Sequence, residues 1–555
     1  MRRELWGLAR PYLGWIALSV LAAVVAALAG AGLMAVSGGF IAAMAVSGAA
    51  GQEMNYYTPS ALVRLFAILR TGARYGERVI GHEATLRIVA EARAWLFARL
   101  APLAPGGLDD LRSGEALARL KTDIDRLETA FLRVAAPLAT ATIVTLAIAT
   151  FVALYDARLA GLLLALALAA GVALPLGFLG PLRRAAKARA QLDGERRAAL
   201  VDTLDGLADL VMAGRFAASA AAAEAMSTRQ SRSEERERAA VVWMQAAVSL
   251  AGDAALIGAL ALGAMALAKG RLAGPDVSML TLLIASAFEP LAALPAAFAA
   301  LPVAAASIER VLELAHRKPL VAEPSDPAPA PAGFAIAFDH VRFGYGARAV
   351  LDDVSLRLAE GERAAIVGPS GAGKTTLIEL LLRVRDPQAG AVSIGGVAAN
   401  RLRLEDLRAA FAVAPQFPHL FDRSLADNLR FGRPRASEAE LREALDLVGL
   451  TPLLARLPDG LDAHLGPLGA RLSAGEARRI AVARAWLAER RILVLDEPTE
   501  GLDADSETRL VDAVLAASPG RTVIAVTHSA EARARFPRAL VVDATSIDAS
   551  ATPAP

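Results

Sequence analysis

The chain has 555 residues, of which 55% are hydrophobic, and its 59 basic and 57 acidic residues leave a formal net charge of +2. This near balance says little about soluble partners, but the lack of a basic stripe interleaved with aromatic residues argues against nucleic acid. Because the sequence contains no cysteine, the chain can form no disulfide, thiolate metal site or thiol-exchange centre. That composition fits soluble parts that face a reducing cytoplasm.

Long apolar segments follow one another in the first part of the chain. Helices of about 20 apolar residues satisfy their own backbone hydrogen bonds and can cross a bilayer. Hydropathy predicts five such spans, at about 14–36, 134–154, 159–179, 241–268 and 277–304. An even number of crossings requires a further span at about 60–80, which charged residues interrupt: Arg64, Arg70, Arg74, Glu77 and Arg78. The first span is too long for a signal peptide, so no cleavable signal is expected.

The distribution of basic residues orients the predicted spans. Basic residues precede the first span at positions 2, 3 and 10 and follow the fourth between 183 and 197, whereas residues 37–60 contain none. The N-terminus and the long loops, at about 87–133 and 183–238, are therefore predicted to be cytoplasmic. Apolar residues recur at spacings of three and four in these loops, for example at 117–127, which predicts helical extensions of the membrane spans.

A segment rich in proline and alanine, residues 316–333, separates the apolar part from a stretch of the size of one α/β domain. The sequence therefore predicts a six-helix α transmembrane domain (1–315), a linker (316–333) and a soluble domain (334–555). The lipid bilayer is the expected partner of the first domain.

A glycine-rich motif at 368–376 follows the apolar run 364–367, and together they predict a strand, a loop and the start of a helix. The motif fills every fixed position of the pattern G-x-x-x-x-G-K-[ST], in which backbone N–H groups surround phosphates, Lys374 neutralises them and the Thr375 hydroxyl reaches Mg²⁺. The predicted nucleotide-binding residues are Gly368, Ser370, Gly371, Gly373, Lys374, Thr375 and Thr376. The alternative is a glycine-rich turn before an ordinary helix.

Two carboxylates end the apolar run at 492–497, which is typical of a strand buried on both faces. Asp496 is predicted to hold Mg²⁺ through water, and Glu497, which points elsewhere, to polarise the attacking water as a general base. The alternative is an acidic pair at the start of a helix. Together with the phosphate loop, this motif predicts an α/β P-loop nucleotide-binding domain.

The run 472–476, followed by 477–485, resembles the signature motif of ATP-binding cassette (ABC) proteins. The resemblance implies that Ser473 and Gly475 of one cassette meet the γ-phosphate of ATP held by another, so that two cassettes are required. It also implies further roles: Tyr345 stacks on adenine, Gln416 is the Q-loop residue at the Mg²⁺ and the catalytic water, Asp503 is the D-loop aspartate, and His528 is the switch histidine. With the predicted spans, the layout resembles an exporter-type ABC half-transporter that uses ATP and Mg²⁺.

Two signature positions depart from the usual pattern, with Ala474 where glycine is common and Glu476 where glutamine is common. They are expected to weaken the γ-phosphate contact or to strain a backbone position that prefers glycine. The phosphate-loop lysine, both carboxylates and the switch histidine follow the pattern. ATP held by this chain's own phosphate loop is therefore expected to be hydrolysed if a partner supplies a good signature, which predicts an asymmetric heterodimer.

Four runs resemble the CydC-type half of the heterodimeric CydDC exporters: 33–40, 70–78, 131–134, and 498–503, which reads Pro-Thr-Glu-Gly-Leu-Asp where many ABC proteins read Pro-Thr-Ser-Ala-Leu-Asp. The resemblance covers both predicted domains. It implies a multi-pass protein of the bacterial inner membrane with a cytoplasmic nucleotide-binding domain and a CydD-like partner. The implied activity is ATP-driven export of glutathione and cysteine to the periplasm, in support of cytochrome bd assembly.

Arg70, Arg74 and Arg78 recur every four residues and therefore lie along one side of a helix. Charges at membrane depth are costly unless they face a cavity, so these arginines are candidates for binding the carboxylates of an anionic thiol such as glutathione. The alternative is that a neighbouring glutamate, phosphates or other helices satisfy them near the membrane surface. Asp253 and Glu289, in the fifth and sixth spans, are candidates for a cargo ammonium group or for pairing with these arginines.

His82 lies one turn beyond Arg78 on the same predicted helix. A lone histidine is usually a structural hydrogen-bonding residue, but an imidazole beside arginines also suits the iron and the propionates of haem. Haem b as cargo or regulatory ligand is therefore an open alternative to a thiol. A further alternative is a regulatory ABC protein that transports nothing, against which the charged inner faces of the predicted spans argue.

Overall fold

The computed structural model describes residues 7–108, 119–346, 348–542 and 547–548. The chain divides into two compact units, one of residues 1–102 and 110–317 and the other of residues 103–109 and 318–555. The first unit is helical, and the second is built around two β-sheets. The predicted combination of a helical domain with an α/β domain is thus confirmed.

Most helices of the first unit follow one another with short connections. In chain order they are α1 (Leu13–Ala49), α2 (Tyr57–Leu100), α3 (Ile124–Thr129), α4 (Ala136–Ala153), α5 (Ala157–Leu168), α6 (Leu174–Asp205), α7 (Leu207–Met212), α8 (Phe216–Ala268), α9 (Gly274–Ser286), α10 (Phe288–Leu291) and α11 (Leu294–Ala315). Short π-helical turns at Arg119–Asp123, Ala130–Ala135 and Ala169–Ala173 adjoin α3, α4, α5 and α6.

Several of these helices have the length and composition of membrane spans. Among the described residues, five helical stretches are long and apolar enough to cross a membrane: Gly7–Ala49, Lys121–Ala153, Ala157–Asp205, Phe216–Ala268 and Gly274–Ala315. Each contains one of the spans predicted from hydropathy. The further predicted span lies in α2, a helix of 44 residues. Its arginines make it too polar to count among these five apolar stretches. The buried residues of α2 begin only at Gly81, so its predicted membrane half is largely exposed in a single subunit.

The charged segments predicted as helical extensions are largely helical where the structure describes them: the first continues α2 to Leu100 and is followed by two short 3₁₀ turns, Ala101–Leu103 and Gly106–Leu108. The second extension forms the end of α6, the short α7 and the first part of α8. The charged first part and the apolar second part of α8 form one continuous helix of 53 residues. Of the first extension, residues 109–118 lie outside the described part of the chain.

The second unit has an antiparallel sheet of order β2-β1-β4-β5 and a six-stranded sheet of order β10-β9-β3-β8-β7-β6. The strands are β1 (Ile336–Tyr345), β2 (Arg348–Leu358), β3 (Arg363–Val367), β4 (Ala389–Ile394), β5 (Val397–Ala398), β6 (Phe411–Ala414), β7 (Ile492–Asp496), β8 (Thr522–Val526), β9 (Arg538–Val542) and β10 (Ile547–Asp548). The helices are α12 (Lys374–Leu381), α13 (Leu404–Ala409), α14 (Leu425–Arg430), α15 (Glu438–Leu447), α16 (Thr451–Arg456), α17 (Ala474–Leu487), α18 (Ala504–Ala516) and α19 (Ala530–Ala534).

The six-stranded sheet positions the nucleotide motifs. Strands β9, β3, β8, β7 and β6 pair in parallel, and only β10 pairs antiparallel. Every residue of β7 and β8 is buried, as their continuous apolar sequences predict for strands covered on both faces. The carboxyl ends of β3, β7 and β8 therefore meet at one edge, where ligands of such sheets bind.

The segment predicted as a linker packs along the second unit. Val321 is buried, and the carbonyl of Ala322 accepts a hydrogen bond of 2.9 Å from the guanidinium of Arg383. The amide of Ala328 donates to the carbonyl of Arg401 at 2.8 Å. These contacts explain how a proline-rich sequence with few backbone donors is held in one path.

Candidate functional site

The phosphate loop connects β3 to α12. Gly373 precedes the helix with φ of +96°, a conformation that suits glycine. A Cβ atom at Gly368 would lie 2.3 Å from the carbonyl oxygen of Val542, so only glycine fits there. Lys374 is buried, and its ammonium group donates to the carbonyls of Gly368 and Pro369 at 2.7 and 3.1 Å. The loop is thus closed around its own lysine.

The two threonines after Lys374 face different environments. Thr375 is exposed, whereas Thr376 is buried in α12. An exposed hydroxyl at the first position can reach a cation held at the strand edge, and the buried second threonine anchors the helix.

The carboxylates at the end of β7 differ in environment. Asp496 is buried, and burial, reinforced by the charge of Glu497 and opposed by Lys374, raises the pKa of Asp496 to about 6. Carboxylate and hydroxyl oxygens such as those of Asp496 and Thr375 are ligands that Mg²⁺ prefers, so these residues fit the predicted ion. Glu497 has φ of +48°, which a non-glycine residue rarely adopts. Such a strained position is characteristic of functional sites.

Three predicted catalytic residues converge although they follow different strands. The side-chain amide of Gln416, after β6, donates to the carboxylate of Glu497 at 3.2 Å. The Nδ1 atom of His528, after β8, lies 3.4 Å from the same carboxylate oxygen. Parallel strand order thus brings residues 81 positions apart into contact. An amide donor and an imidazole around one carboxylate can orient a water molecule beside a general base.

Tyr345, at the end of β1, is half exposed and held from two sides. Its hydroxyl donates to the carboxylate of Glu379 at 2.8 Å. The guanidinium of Arg385 lies 5.0 Å from the centre of the Tyr345 ring, and its Nε atom is 3.0 Å from the Glu379 carboxylate. Sequence analysis missed Glu379 and Arg385 because neither belongs to a recognised motif.

Signature residue Ser473 caps the start of α17. Its hydroxyl accepts a hydrogen bond of 3.2 Å from the amide of Glu476, whose carboxylate accepts from the amide and the hydroxyl of Ser473 at 2.8 and 2.9 Å. This reciprocal arrangement is a capping box. Burial alone would raise the pKa of Glu476, but the hydrogen bonds from Ser473 and the ion pair with Arg456 outweigh burial and lower it.

The prediction of backbone strain at Ala474 is wrong. Ala474 is the first residue of α17 and is absent from the described non-glycine residues with positive φ. Alanine is fully compatible with the first turn of a helix, so the glycine of the usual motif is not required for this backbone conformation. Gly475 follows it in the same helical turn.

D-loop residue Asp503 caps α18. Its carboxylate accepts a hydrogen bond of 2.9 Å from the amide of Ser506, and this bond lowers the pKa of Asp503. Behind it, the buried carboxylate of Glu507 accepts hydrogen bonds from the hydroxyls of Thr499 and Ser529. Glu507 thereby ties the segment after Glu497 to the segment after His528, a link that no sequence motif indicated.

The first unit contains a cavity of about 480 Å³ lined by the predicted cargo arginines. Its lining residues are Leu33, Ala67, Arg70, Thr71, Arg74, Tyr75 and Arg78. The carboxylate of Glu289, in α10, accepts hydrogen bonds from Arg70 at 2.8 Å and from Arg74 at 3.2 Å. Of the two roles considered for Glu289, pairing with the arginines is therefore the one observed.

Arg78 differs from the two arginines that precede it. It lines the same cavity but forms no ion pair with any side chain in the described residues. Asp253 is exposed on α8 and has no ion-pair partner within the same described ranges. His82 is outside the cavity lining, and its Nδ1 atom lies 3.3 Å from the carboxylate of Glu128. This contact is the structural role that a lone histidine usually has.

Comparison with known proteins relates both units to ABC exporters. A family model described as ABC transporter matches residues 351–500. The glutathione/L-cysteine transport system ATP-binding/permease protein CydC of Escherichia coli (strain K12) is 35% identical over 95% of this chain and 92% of that protein. The corresponding CydD protein of Bacillus subtilis (strain 168) is 31% identical over 88% of this chain and 86% of its own length. A solved bacterial Atm1-family ABC exporter with ATP bound superposes with a TM-score of 0.83 at 25% identity, covering 97% of this chain and 95% of the exporter.

Proposed function

This chain belongs to the ABC transporter family, among its CydC-type half-transporters, and we propose that it pairs with a CydD-like half-transporter to export glutathione and cysteine. ATP hydrolysis coupled to transport is the activity of this family. The proposed setting is the bacterial inner membrane, with the nucleotide-binding domain in the cytoplasm. The proposed cellular role is support of cytochrome bd assembly, as the family resemblance implies.

Each nucleotide-site residue has a proposed role that follows from its chemistry. Lys374 neutralises the phosphates of ATP while the loop amides surround them. Thr375, Asp496 and Gln416 would hold Mg²⁺, which would neutralise charge on the phosphates. Glu497 accepts the proton of the attacking water, and His528 holds the Glu497 carboxylate in place. The convergence of Gln416 and His528 on Glu497 is the observation that carries this assignment.

The signature and D-loop residues serve the composite site that forms with the partner. Ser473 and Gly475 lie at the start of α17, where free amides and the helix dipole favour an anion such as the γ-phosphate. The Ser473 hydroxyl is shared with the Glu476 carboxylate. A Ser473 hydroxyl that donates to Glu476 does not at the same time donate to the γ-phosphate, so we propose that the site completed by this signature is the weaker of the two.

Tyr345 is expected to supply the stacking platform for adenine. Replacing it by alanine removes a base–aromatic contact worth about 1–3 kcal/mol, so the ATP dissociation constant should rise at least about fivefold. Tyr345→Phe keeps the ring and loses only the hydroxyl contacts with Glu379 and Thr376, so it should bind ATP nearly as the wild type does. Fluorescence titration of the heterodimer with ATP measures both. Equal loss in the two variants would assign the effect to the hydroxyl and contradict stacking.

The proposed cargo site is the cavity lined by the arginines of α2. Glu289 forms ion pairs with Arg70 and Arg74, whereas the Arg78 guanidinium lines the cavity without an ion-pair partner among the described residues. A guanidinium group binds a carboxylate through charge-assisted hydrogen bonds, and glutathione carries two carboxylates. This unpaired guanidinium is the observation that favours an anionic thiol. No contact of His82 in the described residues favours haem over it.

The ATPase rate of the heterodimer in lipid, titrated separately with reduced glutathione, cysteine and haem, tests the proposed cargo. We expect stimulation by the thiols. Arg78→Gln, alone or with Arg74→Gln, should raise the glutathione concentration for half-maximal stimulation at least about tenfold, because a hydrogen bond to a charged group contributes about 1.5–3 kcal/mol. Arg64→Gln is the matched control, since Arg64 is on the same helix but outside the cavity lining. Stimulation by haem alone, lost in His82→Gln, would overturn the thiol proposal.

A further inference from the structure

Arg478 connects three parts of the nucleotide site from one side chain. It lies in the second turn of α17, and its side chain is only 13% exposed. Its Nε atom donates to the backbone carbonyl of Gln416 at 3.1 Å, and Nη1 donates to the backbone carbonyl of Glu500 at 2.9 Å. The remaining nitrogen, Nη2, is 2.8 Å from the Glu500 carboxylate. One guanidinium therefore holds the Q-loop and the D-loop against the signature helix.

Glu500 places a second carboxylate beside the proposed general base. The side-chain amide of Gln416 is 3.2 Å from the Glu497 carboxylate and 3.4 Å from that of Glu500. The amide has two N–H bonds and donates to both carboxylates, so its position depends on the balance of attraction between them. Because Arg478 neutralises Glu500, this balance favours Glu497. The D-loop of this chain carries glutamate where many ABC proteins have serine, so this ion pair is an addition to the usual site.

We propose that Arg478 is a positioning residue for ATP hydrolysis, which keeps the Gln416 amide on Glu497 by neutralising Glu500 and by fixing the backbone of both loops. Any movement of α17 is passed to both loops through the same guanidinium. Engagement of the signature by the partner's ATP and orientation of the general base in this chain's own site are therefore mechanically linked. The inference rests on the proposed roles of Glu497 and Gln416.

Arg478→Gln tests the proposal in the complete heterodimer. Without the charge, Glu500 attracts the Gln416 amide away from Glu497, and a misplacement of about 1 Å can lower a catalytic rate about a hundredfold. We expect single-turnover hydrolysis to fall between about ten- and a hundredfold, with no measurable change in the ATP dissociation constant. The double variant Arg478→Gln/Glu500→Ser should recover most of the lost rate, because the competing carboxylate is removed. A residue that only stabilises the fold would not show this recovery.

The partner's own phosphate-loop lysine is replaced throughout, so that only this chain's site contributes. Arg479→Gln is the matched control, since the neighbouring guanidinium donates to the carbonyls of Gly449 and Gly475 and to neither loop. A wild-type rate in Arg478→Gln, or a double variant as slow as the single one, overturns the proposal. Measuring Glu497→Gln alongside distinguishes a failure of the general-base assignment from a failure of the positioning role of Arg478. If Glu497→Gln is inactive and Arg478→Gln is not, the base assignment stands and the positioning role fails.

Discussion

Replacing Glu497 by glutamine is expected to lower ATP hydrolysis at this chain's site by about 10²–10⁴-fold, the range for losing a general base. Glutamine has the same shape, and its carbonyl oxygen can still accept the hydrogen bond from Gln416, so ATP binding should be retained. The carboxylate that takes the proton of the attacking water is absent. Single-turnover hydrolysis and ATP titration of the heterodimer measure the two effects separately.

Glu500→Gln provides a control for this prediction, because the Glu500 carboxylate contacts the same Gln416 amide but is not proposed as the base. Its loss of rate should be much smaller than that of Glu497→Gln. Equal losses would show that general-base catalysis is wrongly assigned to Glu497 alone. If the complex with Glu497→Gln turns over at the wild-type rate, hydrolysis takes place at the partner's site.

The nucleotide site was predictable because its motifs occupy strand ends. A buried apolar run followed by glycine, carboxylate or histidine fixes where the chain leaves the sheet, and parallel pairing brings those ends together. Gln416, Glu497 and His528 therefore meet, although their sequence positions are far apart. Local residue patterns are sufficient to place these residues because each motif follows the carboxyl end of a parallel strand in the same sheet.

Backbone conformation inside a motif was less predictable. The substitution of alanine for glycine at position 474 suggested strain, because glycine is often selected for positive φ. In the structure Ser473 ends the preceding loop and Ala474 already belongs to the helix, so glycine there is not needed for its conformational freedom. A motif records which residue is common but not which of its properties is used.

Pairs of charged residues across the fold were the hardest to predict. Helical spacing placed Arg70, Arg74 and Arg78 on one side of α2, but the acid that faces them is more than 200 positions away, in α10. The pairing of Glu289 with Arg70 and Arg74 depends on how the helices pack. The ion pair of Arg478 with Glu500 likewise joins two motifs that were each read alone.

Replacing Asp123 by alanine is expected to destabilise the first unit by about 3 kcal/mol, near the lower end for breaking a buried ion pair. Asp123 is buried, and its two carboxylate oxygens accept hydrogen bonds of 2.5 and 2.9 Å from Arg310 of α11. Ser307 also contacts this guanidinium, at 3.0 Å. Alanine would leave the positive charge without its counter-ion in a site with little water. Because the Arg310 side chain is 30% exposed, partial hydration keeps the cost from being larger. Thermal unfolding of the purified heterodimer measures the loss.

Asp125→Ala is the matched control, two residues further along the chain. Asp125 also pairs with an arginine, Arg93, but both side chains are nearly half exposed. Exposed pairs contribute about 0–1 kcal/mol, so this variant should unfold close to the wild-type temperature. Both variants remove an aspartate from the same segment. The difference between their unfolding temperatures therefore measures the effect of burial separately from the effect of losing a charge. Equal shifts in the unfolding temperature would mean that the Asp123–Arg310 pair contributes no more than a surface contact.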